Sequence, residues 1–150
     1  MNTIEQDAQH LAEIVPRLMS AFHNMQRHHE NTETLTMRQF QALVLLSVRG
    51  EMTVMELCER LNLAASTGSE LVQRMIGQGY IQKSQQQSDK REVGVSLTPA
   101  GQEMFKKRKQ ELVGMFFKML EMFSDKDRQK LLKSFDTIFE IMSKFSARPS

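Results

Sequence analysis

The chain is poor in the residues that build covalent or metal frameworks. It carries one cysteine, Cys58, in 150 residues, which excludes an intramolecular disulfide and a cysteine-based zinc cluster. No apolar run approaches the roughly 20 residues needed to span a bilayer. The start, Met1-Asn2-Thr3-Ile4-Glu5-Gln6-Asp7, is acidic and polar and does not read as a secretory signal. There is no repeat, no low-complexity tail and no proline-rich linker. Nor is there a nucleophile–base pairing, a phosphate-cradling glycine loop or a metal-ligand motif that would recommend an enzyme. Of the four histidines, His10, His23, His28 and His29, the last two are adjacent and on a helix would point about 100° apart, so they do not readily share an ion. These absences lead us to expect a cytoplasmic, non-enzymatic protein with no metal and no cofactor. A composition of 40% hydrophobic and 25% charged residues suits one soluble domain over residues 1–150.

What is present is organised by charge and periodicity. Net charge is only +2, but it is uneven: residues 1–35 hold two Lys/Arg against five Asp/Glu, and residues 36–109 hold eleven against seven. The excess falls on the segment whose pattern suggests contact with phosphates. Leu11, Ile14, Leu18, Phe22 and Met25 form one stripe of a first helix, over about residues 3–30, which Pro16 should kink. The polar run His28–Glu33 reads as a loop. Thr36 and Gln39 have capping-box spacing and open a second helix that buries Phe40, Leu43, Val44 and Leu46 and stops at Gly50. Thr53 and Glu56 repeat the box at a short third helix. A tight turn, Asn62-Leu63-Ala64-Ala65, leads to a further helix near Ser66–Gln78 that buries Leu71, Val72 and Met75 and stops at Gly79.

A charged hairpin follows. Tyr80–Lys83 forms one strand and Glu92–Leu97 the other, with Val93, Val95 and Leu97 on one face and Gln85–Asp89 at the tip. Thr98 caps a long helix with Pro99 at its first position and Leu112, Met115, Phe116 and Met119 on its apolar side. Ser124 caps the last helix, striped by Leu131, Phe135, Ile138, Met142 and Phe145. The order predicts a mainly α, α+β fold: a winged helix-turn-helix over about residues 35–98, flanked by helices over about 3–30 and 99–146. Those flanking stripes exceed what so small a module needs for its own core, and a second subunit is the expected cover. Met115, Phe116, Met119 and Phe123 are expected to pack in that dimer.

Such a module reads double-stranded DNA through the helix after the turn. Its first turns offer Ser66, Thr67, Ser69, Glu70, Gln73 and Arg74. The hydroxyls suit phosphate oxygens, Gln73 could pair with adenine, Arg74 with guanine or phosphate, and Glu70 with cytosine N4. The wing adds Lys83, Lys90 and Arg91, with Asp89 placed to orient Arg91 toward a minor groove. A pocket for a small inducer could include Arg17, Phe22 and His23. Cys58 is a candidate redox residue, against a default of small-residue packing. The alternative reading is a winged-helix protein-interaction module without specific DNA binding.

The pattern resembles the MarR family of bacterial transcription regulators. The resemblance rests on Leu35-Thr36, Gln39, Leu43, Glu56-Leu57, Leu61, Leu63, Ser66, Ser69, Leu71-Val72, Gly79-Tyr80-Ile81, Asp89-x-Arg91 and Leu97-Thr98-x-x-Gly101. It implies a homodimer on a palindromic operator, joined through its terminal helices, with the wing arginine in the minor groove. Many members are repressors released by small phenolic or lipophilic ligands or by thiol oxidation. Gly68 stands where that pattern commonly has an apolar residue, Glu70 where a basic or neutral polar one is common, and Cys58 where alanine is usual.

Overall fold

The computed structural model describes residues 1–27, 35–84 and 93–146. The chain divides into two compact units, Met1–Thr34 and Leu35–Ser150. The first contains α1 (Ile4–Arg27), a helix that continues through Pro16. The second contains α2 (Met37–Arg49), β1 (Glu51–Thr53), α3 (Val54–Leu61), α4 (Ala65–Gly77), β2 (Ile81–Lys83), β3 (Gly94–Leu97), α5 (Pro99–Leu120) and α6 (Asp125–Ser146).

Local chemistry fixes the ends of these helices. At α2 the Thr36 hydroxyl accepts from the Gln39 N–H at 3.2 Å, and the Gln39 amide oxygen accepts from the Thr36 N–H at 3.1 Å. Thr53 and Glu56 form the same reciprocal box at α3. Asn62, left-handed at φ 52°, ends α3. The Leu63 N–H returns to the Cys58 carbonyl and the Asn62 N–H to that of Glu59, so the last orphan carbonyls are satisfied by a Schellman arrangement. The same closure ends α4. Gly79 takes φ 80°, and the Tyr80 N–H donates to the Met75 carbonyl at 3.0 Å. Ser124 caps α6 by accepting from the Asp127 N–H at 3.1 Å.

Among the described residues the sheet has three strands in the order β1-β3-β2, both pairings antiparallel. β1 lies outside the two-stranded hairpin that the sequence predicts. It is three residues long, too short for an alternating pattern, and its last residue is the cap of α3. Met52 faces Val95 across one pairing, and Ile81 faces Leu97 across the other. Val95 is fully buried, whereas Val93, expected on the same face, is exposed and precedes the strand.

One core joins every element of the module: Ala42, Leu43 and Leu46 of α2, Met52 of β1, Leu57 and Leu61 of α3, Val72 and Met75 of α4, Ile81 of β2 and Val95 of β3. At about 25 cal/mol per Å² of apolar surface removed from water, this cluster is the main favourable term for the module. The start of α5 is bound to it by Met104 and Phe105, with the Phe105 ring stacked on Phe40 at 6.3 Å between centroids. α6 stands in contrast: every side chain described along it is exposed except Leu131, which is half-buried.

Candidate nucleic-acid interface

Helix α4 buries Gly68, Val72 and Met75. At about 100° per residue these three lie on one side, and Ser66, Thr67, Ser69, Glu70, Gln73 and Arg74 occupy the exposed opposite arc. All six residues expected to meet DNA therefore share one solvent-facing surface, led by the helix N-terminus, whose unpaired N–H groups favour anions. The cap position is Ala64, which makes no side-chain cap.

Three contacts hold this helix in place. Among the described residues Gln39 is the buried polar side chain, and its Nε2 donates to Gln78 Oε1 at 3.1 Å, tying α2 to the end of α4. Arg38 Nη1 donates to the Leu61 carbonyl at 2.6 Å, tying α2 to the end of α3, just before the turn into α4. At the wing root the Thr98 hydroxyl donates to the Gly79 carbonyl and accepts from the Gly101 N–H at 3.0 Å. The Thr98 N–H donates to the Tyr80 carbonyl at 3.1 Å. A β-carbon on Gly101 would collide with the Tyr80 carbonyl, approaching its carbon to 2.9 Å. The Gly79-Tyr80 and Thr98-x-x-Gly101 motifs are thus two halves of one joint. Sequence reading found the motifs and the Gln39 cap, but not the meeting of the motifs, nor the ties from Gln39 to Gln78 and from Arg38 to Leu61.

Ser69, Gln73 and Lys83 line an open groove of about 490 Å³ with Cys58, Val54, Met55, Glu59, Leu63, Ala65, Val72 and Val93. The structure brings these two α4 residues together with the exposed wing-root lysine, while Ser66, Thr67, Glu70 and Arg74 are outside the groove lining. Met55 and Glu59 were not singled out in the sequence, although with Cys58 they follow a helical one-turn spacing. Asp89, Lys90 and Arg91 lie outside the described residues. The positive excess needs relocating: of the eleven basic residues in 36–109, Lys106, Lys107, Arg108 and Lys109 belong to α5, beyond the wing. Lys106 pairs with Glu103 at 3.7 Å and Arg108 with Glu111 at 2.9 Å.

Arg17, Phe22 and His23 lie in the second half of α1. Five and six residues of separation turn Phe22 about 140° and His23 about 240° from Arg17, so no single face carries all three. Cys58 is buried, with its sulfur against Gly68. Among the described residues, no three of His, Cys, Asp and Glu gather as a metal site, and no helix is long and apolar enough to cross a membrane.

Comparison with known proteins matches this geometry. The MarR family profile matches residues 35–93. The chain is 31% identical over 128 residues to the uncharacterized HTH-type transcriptional regulator YsmB of Bacillus subtilis, covering 83% of this chain and 80% of that one. The chain belongs to the MarR family. A MarR family protein from Bacillus stearothermophilus superposes with a TM-score of 0.77 at 23% identity, over 95% of this chain and 99% of that one. A mutant MarR from E. coli, complexed with operator DNA, superposes with a TM-score of 0.69 at 15% identity, over 91% and 99%. This MarR-family chain is a transcriptional regulator with a winged helix-turn-helix fold, and not an enzyme.

Proposed function

We propose that this MarR-family regulator is a homodimeric repressor that binds a palindromic operator. The observation carrying the DNA-reading role is the exposed arc of α4, where six polar side chains face solvent opposite Gly68, Val72 and Met75. Ser66, Thr67 and Ser69 contact phosphates, Gln73, Arg74 and Glu70 meet base edges, and Lys83, Lys90 and Arg91 extend the contact along the wing. The dimer is supported by the apolar side chains α6 exposes, among them Leu132, Ile138, Phe139 and Ile141. A palindrome follows from twofold symmetry, its half-sites spaced by about 34 Å, one turn of duplex. A small ligand that favours another spacing would release the operator by population shift.

Selection from random-sequence duplex DNA at two salt concentrations tests this. An enriched inverted repeat, bound less tightly as salt rises, is expected. Arg91→Ala should weaken binding and lower the salt slope by about one phosphate contact. Folded, dimeric protein that enriches no motif would overturn the proposal in favour of a protein-interaction module. Repression is tested separately, by a reporter placed behind the enriched repeat, whose expression should rise when the regulator is deleted.

A further inference from the structure

The first turn of α4 passes α3 at a point where neither helix has room to spare. Gly68 is buried between the exposed Thr67 and Ser69, and its N–H makes a helical bond to the Ala64 carbonyl at 2.9 Å. A β-carbon built there would fall well inside the radius of Cys58 Sγ and 3.4 Å from Cys58 Cβ. Cys58 is 7% exposed and also lines the groove beside Ser69 and Gln73. The sulfur therefore occupies the volume that any other residue at 68 would claim. A glycine inside a helix is otherwise a liability, since alanine there favours the helix and restricts the unfolded chain.

We infer that Cys58 and Gly68 are a size-matched pair, and that the thiol is the spacer setting how closely the DNA-reading end of α4 lies on α3. Cys58 is a positioning residue in this assignment: it acts on DNA through the first turn of α4. Enlarging residue 68 forces one of two movements. Either the sulfur rotates out toward the groove, or the turn carrying Ser66, Thr67 and Ser69 lifts away from α3. Removing the sulfur abolishes the conflict, because β-carbons at 58 and 68 would meet at 3.4 Å, an ordinary contact.

The functional half of this inference rests on the proposed DNA-binding role; the packing half does not. The test compares the full-length wild type with Cys58→Ala, Gly68→Ala and the double variant. Melting temperature, the rate of reaction of Cys58 with a disulfide reagent where the cysteine is kept, and affinity for the duplex enriched by wild type are measured. The sign of the Gly68→Ala effect should reverse: a lower melting temperature in the wild-type background, a higher one in Cys58→Ala. The thiol should react faster in Gly68→Ala, and duplex affinity should fall about tenfold and recover in the double variant, a coupling typical of residues in contact. If Gly68→Ala does not fold, folding of the double variant supports the pair and unfolding of both overturns it. The same sign in both backgrounds overturns it too. Reversal of sign with equal duplex affinity throughout overturns the positioning role. If wild type enriches no duplex, the DNA-binding reading fails, while melting and thiol reactivity still decide the pair.

Discussion

The helices of the winged module and helix α6 all carry apolar stripes at helical spacing, and these end in opposite conditions. In the module, residues from three helices and three strands converge until Ala42, Leu43, Met75 and Val95 have no exposed surface. Along α6, Met142 remains 60% exposed and Phe145 59%, although its stripe is as regular as that of α2. The lesson is that periodicity announces a buried face without saying whose surface buries it. The module closes on itself within the chain, and α6 offers its face outward.

That contrast can be broken from either side. Leu43→Ala should have the largest effect, a loss of about 2–5 kcal/mol from transfer and cavity terms. It should appear in urea denaturation at low and high protein concentration alike. Next, Ile138→Glu should weaken the proposed dimer by about 2–3 kcal/mol or more, because a carboxylate would be desolvated without a partner. On the proposed reading, sedimentation velocity should show a dimer for wild type and a monomer for the variant; a dimer for both would mean that this part of α6 is covered by something other than a second copy.

The smaller effects sharpen the comparison. Thr53→Ala removes a cap from α3 and should cost about 1 kcal/mol, read as a shifted urea midpoint. The α3 start is built into the module, with the Val54 N–H bonded to the Val93 carbonyl. Lys106→Ala should change stability by no more than about 0.5 kcal/mol. Its pairing with Glu103 is solvent-exposed, and a larger loss would show that the basic run on α5 has a packing role.

Much of this was legible along the sequence because helix ends are local. Thr36 with Gln39, Thr53 with Glu56, Thr98 with Pro99, and Gly79 each declare a boundary within four residues, and each is where the sequence places it. β1 was hidden because three residues carry no period, and its pairing with β3 joins positions more than forty residues apart. The positive excess was assigned to the reading segment as a sum over a window, which extended past the wing into α5. Gly68 and Cys58 were each visible as unusual residues, but only packing shows that one accommodates the other. The exposure of the six α4 side chains proposed to meet DNA was legible, since an exposed polar arc follows from the same helical period that identifies the buried side. The face was therefore foreseeable, and the contacts that aim it, Gln39 to Gln78 and Arg38 to Leu61, were not.

The joint at Thr98 also makes α5 a crank. Its 22 residues extend for about 33 Å at 1.5 Å per residue, and its first turn is fastened to the carbonyls of Gly79 and Tyr80, immediately after the recognition helix ends. With the far end held still, a tilt of about 5° swings the fastened end by about 3 Å over that length. A displacement of about 3 Å approaches the roughly 3.4 Å rise of one base pair. On the proposed DNA-binding role, a tilt of a few degrees in α5 would therefore move the α4 face by nearly a full step along the duplex.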